Sequence, residues 1–232
     1  MALTYAEIID LAAQEAKVPG FTNQAGLHLN MILEDLALNY NLDVRHNDGY
    51  TFQTNATPAE GPYDLPDDYL RHVANEARFI IDGTPFNMFQ VPVHKFKEQF
   101  VGEGIGTYPE FFAVDIGDQG AKLFLWPPPN GFYTIEFPYY QKHIYEPDPA
   151  SSSNIPWFPM SSYLVKELGA RLASGNDDNR AEKLSVEAEL MLTKYLKMKD
   201  DKEGYAQVVN LDRNNFPGRG RLRGIKSNPW GY

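Results

Sequence analysis

Apolar and polar positions alternate along this chain with two rhythms, separated by stretches that have neither. From Thr4 to about Lys17, and again from about Thr22 to Asn41, apolar residues return every three or four positions, with Leu29, Ile32, Leu33, Leu36 and Tyr40 on one face of the second run. This spacing predicts two helices in an αα-hairpin. Thr4 and Glu7 fit a capping box, Leu3 is placed to staple onto Ile8, and Pro19-Gly20 is placed to break the first helix. Residues 43–68 are polar and irregular, with Asn47-Asp48-Gly49 as a turn and Thr51–Thr57 as an edge strand. Leu65-Pro66-Asp67-Asp68 opens a short helical turn, its carboxylates reading as caps.

From Val73 the period shortens toward two. Ala77, Phe79 and Ile81 predict a strand, Asp82-Gly83 a hairpin turn, Phe86–Val91 the returning strand, and Pro92 the start of a short helix through Lys95, Phe96 and Phe100. Phe111–Ile116, Lys122–Trp126 and Tyr133–Tyr140, divided by Gly117-Asp118-Gln119-Gly120 and by Pro127-Pro128-Pro129-Asn130-Gly131, predict a three-stranded antiparallel meander with helices over one face. After an irregular stretch at 146–160 the helical period returns at Ser161 or Ser162 and stops at Gly175. Asn176, Asp177 or Asp178 caps a last helix whose Leu184, Ala188, Met191, Tyr195 and Met198 form a packing stripe. The expected fold is α+β, mainly α: a helical bundle with a small inserted antiparallel sheet region and an extended C-terminal tail. Its expected divisions are a helical hairpin at 1–46, a β-rich insertion at 47–145, completing helices at 146–203 and a docking tail at 204–232. Segments 43–64 and 146–160 are long for internal loops and are expected, with the two helical regions, to be ordered by neighbours.

Composition narrows the chemistry. The 232 residues contain no cysteine, which excludes disulfides, thiolate metal sites and a cysteine nucleophile. Met1–Asp10 has no basic leader, and nowhere do eighteen apolar residues run together, so neither a signal peptide nor a membrane span is expected. The net charge of −10 is unevenly spread: residues 210–232 carry +4, leaving −14 on residues 1–209. An acidic body repels phosphate, whereas a basic, glycine-rich tail is built to dock on something else.

No motif carries catalysis. Gly102-Glu103-Gly104-Ile105-Gly106 has neither dinucleotide-fingerprint nor P-loop spacing and reads as a surface loop. His28, His46, His72, His94 and His143 show no zinc-protease spacing, and the serine clusters at 151–153 and 161–162 lack a nucleophile elbow. No catalytic residue, metal site or cofactor is expected. Trp230 and Tyr232 end a tail without a core of its own, where large aromatics serve as anchors in a partner's pocket.

The order of these features resembles the head-to-tail connecting (adaptor) proteins of tailed bacteriophages, particularly those of short-tailed phages. The resemblance covers most of residues 1–200. It is carried by Leu65-Pro66-Asp67-Asp68-Tyr69-Leu70-Arg71, the strand into Asp82-Gly83-Thr84-Pro85, Tyr108-Pro109-Glu110-Phe111-Phe112 and Leu123–Tyr140 with Trp126-Pro127-Pro128-Pro129. Trp157 and Tyr163-Leu164-Val165-Lys166-Glu167-Leu168 follow in order. The resemblance implies a structural virion protein, assembled in the host cytoplasm into a homo-oligomeric ring, usually of twelve copies, beneath the portal. It further implies contact with tail tube or nozzle proteins, passage of genomic DNA through the lumen without specific binding, and no membrane partner. The tail would dock on the portal through Arg213, Phe216, Arg219, Arg221, Arg223, Lys226, Trp230 and Tyr232. Two other readings remain: a virion enzyme acting on glycans, from the aromatic and carboxylate content, and a nucleic-acid-binding packaging factor, from the Gly218–Gly224 arginine run.

Overall fold

The structure is a computed structural model that describes residues 2–18, 20, 22–55, 62–74, 76–99, 108–118, 120–174 and 177–202. The described residues form two compact units: one built from those within 3–9 and 22–159, the other from 10–18, 20, 160–174 and 177–202.

The first helix, α1 (Tyr5–Ala16), starts where the capping box placed it. The Thr4 backbone N–H donates to Glu7 Oε2 at 2.8 Å, and the Glu7 N–H donates to Thr4 Oγ1 at 3.3 Å. Its end is set one step earlier than Pro19-Gly20. Lys17 takes a left-handed φ of 59°, and the Val18 and Lys17 N–H groups donate back to the Ala13 and Gln14 carbonyls, the double bond of a Schellman motif. The second helix, α2 (Thr22–Asn39), buries Ala25, Leu29, Ile32, Leu33 and Leu36.

The strands of the first unit are β1 (His46–Asn47), β2 (Thr51–Gln53), β3 (Tyr63–Asp64), β4 (Tyr69–His72), β5 (Arg78–Ile81), β6 (Thr84–Asn87) and β7 (Phe89–Gln90). After the short helix α3 (Val93–Gln99) come β8 (Phe111–Gly117), β9 (Gly120–Trp126), β10 (Thr134–Glu136) and β11 (Tyr139–Gln141). They pair as three sheets, in the orders β1-β11-β4, β2-β10-β5-β6 and β3-β9-β8-β7. The β5–β6 hairpin turns at Asp82 (φ 48°) and Gly83 (φ 78°), both positive as a type I′ turn requires.

This corrects the expected mainly α bundle with a small antiparallel insertion. Beside five α-helices the described residues hold eleven strands in three sheets, and one pair, β7 with β8, is parallel. The shortfall has a physical cause: β1, β3 and β7 are two residues long, too short to show alternation, and become strands only by pairing with longer partners. The predicted meander is also corrected. β8 and β9 pair along seven residues, but the third run divides, β10 inserting between β2 and β5 and β11 between β1 and β4. Pro138 lies at the division, where the missing N–H interrupts a ladder, while Ile135, Phe137 and Tyr139 all stay buried on one side. Asp67 and Asp68 precede β4 rather than a helix, and the Phe86–Val91 run splits at buried Met88 into β6 and β7 of different sheets.

The buried members of this β core, among them Leu65, Tyr69, Phe79, Met88, Phe112, Leu123, Leu125, Phe137 and Tyr139, come from strands of all three sheets and their connections. Rings fill this space: Phe112 meets Phe137 edge-on at 5.4 Å and Tyr50 meets Tyr139 edge-on at 5.6 Å. Helix α3 covers a limited patch, placing Phe96 5.9 Å from the Phe124 ring and Lys97 Nζ 2.7 Å from Asp115.

In the second unit, α4 (Ser161–Ala173) and α5 (Asp178–Lys202) form an antiparallel pair with residues 10–18. Asp177 caps α5, accepting the Arg180 N–H at 3.1 Å, and this bond together with the Arg180 side chain lowers its pKa. Leu184 and Ala188 of the predicted stripe are buried, but the buried line then shifts to Leu192, and Met198 is exposed. Gly169 permits the close packing: a Cβ there would lie 3.3 Å from Leu184 Cδ1 and 3.5 Å from the Ala12 carbonyl oxygen.

Candidate functional site

Several side chains and segments of the first unit attach along α2. Arg71, on β4, reaches the C-terminal end of α2, where the last carbonyls have no partner within the helix. Its guanidinium donates to the Leu38 carbonyl (3.0 Å), the Tyr40 carbonyl (2.9 Å) and Asn41 Oδ1 (3.0 Å). One turn after the middle of the helix, the Tyr145 hydroxyl donates to Glu34 at 2.6 Å, which raises the Tyr145 pKa. Near the N-terminal end, Gly26 leaves room for Pro149, whose ring carbons would lie 3.1 Å from a Cβ at that position.

Between these attachments lies buried His143. Trp157 Nε1 donates to its Nδ1 at 3.2 Å, so the ring is the Nε2–H tautomer and donates to Asn30 Oδ1 at 3.1 Å. Asn30 in turn donates to the Glu146 carbonyl (2.9 Å) and accepts the Glu146 N–H (3.2 Å). Arg45 stacks its guanidinium over Trp157 at 5.2 Å and donates to the Gln141 and Lys142 carbonyls. Burial first, and then the positive charge of Arg45, push the His143 pKa down to about 4. A neutral imidazole with both nitrogens engaged has no lone pair for a substrate proton. The cluster fastens the irregular segment 143–157 to α2, and that segment also accepts the Tyr5 and Ala6 N–H groups at Asn154 and Ser152. Within the chain, α1 and α2 both hold this stretch.

A second polar network joins Asp68, Tyr139, Gln141 and Asn47. Asp68 accepts from the Tyr139 hydroxyl (2.7 Å) and Gln141 Nε2 (2.6 Å), and Asn47 Nδ2 donates to the Tyr139 oxygen (3.1 Å). Burial and the Asp68 carboxylate push the Tyr139 phenol up to about 12, so it stays a donor across the physiological range.

In the second unit a cleft of about 330 Å³ is lined by charged side chains of α4, α5 and the end of α1. Lys166 bridges Glu15 (3.1 Å) and Glu187 (3.2 Å), while Arg180 donates to the Glu15 carbonyl (2.9 Å) and approaches Asp177 (3.3 Å). These charges close on one another, which makes the cleft a clamp between helices. Among the described residues no group of three or more histidine, aspartate or glutamate side chains is placed to hold a metal, and no helix is long and apolar enough to cross a membrane.

What remains open to a partner is surface. Large apolar side chains are exposed on α2 and α5 and on the sheet edges, among them Phe86 on β6 and Phe89 on β7. The eight residues expected to dock, Arg213, Phe216, Arg219, Arg221, Arg223, Lys226, Trp230 and Tyr232, lie outside the described residues, as does the run from Gly102 to Gly106. The His143 cluster was missed in sequence because its members are 113 residues apart, Asn30 looks like an ordinary helix residue, and Pro156-Trp157 like a turn. Arg71 carried no signal beyond its place in the Leu65–Arg71 stretch.

No curated protein matches the chain. The family model for the SU10 adaptor protein matches residues 3–212, which takes in both units, the three sheets and the α2 attachments. The chain belongs to the SU10 adaptor protein family, the structural head-to-tail adaptors of phage virions.

Proposed function

We propose that the protein is a non-catalytic ring component, closing with copies of itself beneath the portal. In this reading it extends the channel through which the genome leaves and offers a platform for tail tube or nozzle proteins. The observation that carries the reading is the match to the adaptor family over residues 3–212. Physical features support it. An acidic body, at −14 over residues 1–209, gives DNA no attractive wall, which suits a duct the genome passes through without specific binding. The basic end, residues 204–232, is then the docking arm for the portal, with twelve copies and a short-tailed virion as the most specific form. A head-to-tail contact whose rotation closes gives a ring.

The test is the mass of the full chain in solution, measured alone and again with the isolated portal. A portal-bound species holding a fixed multiple of the adaptor mass is expected. A single adaptor per portal, or no complex, contradicts the proposal, and turnover of cell-wall glycan abolished by one carboxylate substitution would make the protein an enzyme.

A further inference from the structure

Helix α2 is apolar on two sides. Opposite its buried face, Leu27, Met31 and Leu38 are 55%, 41% and 51% exposed, and with Glu34 they follow the spacing 4, 3, 4. Helix α5 repeats the arrangement: Val186 and Leu190, 50% and 56% exposed, continue through Thr193 and Lys197 at the same spacing, opposite buried Leu184 and Ala188. A 4, 3, 4 spacing is the seam along which two helices pack side by side, and each seam runs about 16 Å. Scattered apolar residues need no explanation, but two seams of equal length and phase do.

The polar residues distinguish the two seams. Helix α2 contains no lysine or arginine, and its seam carries Glu34 with Asp35 beside it. The matching positions of α5 are Thr193 and Lys194, followed by Lys197. In a body of −14, contact between copies is opposed by like charge unless the docking faces bring cations onto anions. A parallel alignment does this. It sets Leu27 on Val186 and Met31 on Leu190, brings Glu34 and Asp35 level with Lys194, and lets the Lys197 stem lie on Leu38 while its ammonium reaches back one turn. The antiparallel alignment instead sets Glu34 against Leu190.

We propose that the outer seam of α2 on one copy packs in parallel against the outer seam of α5 on the next. This rests on the ring reading above and names the faces that close it. Because the two faces differ, the contact is head-to-tail, and each copy keeps one of each for its neighbours.

The absence of native cysteine makes the test clean. Full-length Met31→Cys and Leu190→Cys chains, both changed at exposed positions, are mixed with the isolated portal and oxidised. The mixture is expected to give a cross-linked dimer absent from either variant alone, and the doubly substituted chain a ladder of higher species. Reversing Glu34 and Asp35 to lysine is expected to abolish assembly, and reversing Lys194 and Lys197 to glutamate in the same chain to restore it. Rings seen by electron microscopy without the mixed cross-link overturn the α2–α5 contact and leave the ring intact. A dimer of Met31→Cys alone overturns the head-to-tail arrangement, and failure of the unsubstituted chain to form rings on the portal overturns both.

Discussion

At the scale of single residues, the structure is held by side chains that saturate one another's hydrogen bonds, and their removal has calculable effects. His143 is neutral in the fold and binds its proton more readily once unfolded. With the folded pKa pushed down to about 4 from an unfolded value of 6.5, its contribution is complete above pH 6.5. It declines as the pH falls through that window and is gone below the folded value, a loss on the order of 3 kcal/mol. Urea midpoints measured from pH 7 to pH 4 should fall more steeply for the native chain than for His143→Gln; parallel slopes would refute the assignment. Arg71 makes its three bonds through a planar fork. Arg71→Ala should cost about 2 kcal/mol in chemical denaturation, and Arg71→Lys should recover little of it, since one ammonium cannot face three acceptors in that geometry. Neither residue announced itself in the sequence, because both act on groups far away along the chain. Capping behaved differently: Thr4, Glu7 and Asp177 were legible because a cap acts within four residues of its own position.

The same division between near and far holds for whole elements. The two helices at each end were readable from their 3.6-residue period, and the β5–β6 and β8–β9 hairpins from Asp82-Gly83 and the Gly117–Gly120 turn. Sheet membership was not readable. The chain changes sheets at Met88 and at Pro138, and the partners of β10 are β2 and β5, both more than fifty residues upstream. Nothing local in Thr134–Tyr140 separates a third meander strand from a strand shared between two sheets. The hairpin and the crossover can be tested apart. Gly83→Val forces a β-branched residue to a φ of 78° and should cost about 1 to 2 kcal/mol without altering the other sheets. Phe137→Ala, in contact with the Phe112 ring at the junction of two sheets, should cost about 3 to 5 kcal/mol and broaden the amide spectrum of the whole first unit. An unchanged melting temperature for Phe137→Ala would show that the three sheets do not share one core.

At the scale of the molecule, the described chain supplies scaffold and surfaces, and the proposed docking arm lies beyond it. Twenty-nine residues, 204–232, span on the order of 95 Å when fully extended, far enough to pass from one protein to another. Ordering that length costs conformational entropy, which arginine forks on carboxylates and a Trp230 ring in a pocket are chemically suited to offset. Truncation after Gly204 should leave the circular dichroism of the body unchanged while portal affinity falls by orders of magnitude; unaltered affinity would remove the tail from the docking role. The most direct test of the central claim is electron microscopy of the full chain bound to its isolated portal. The account predicts a closed ring of identical copies, α2 of each beside α5 of the next, with the C-terminal arm lying on the portal. A single off-axis copy, or copies bound without touching one another, would contradict it.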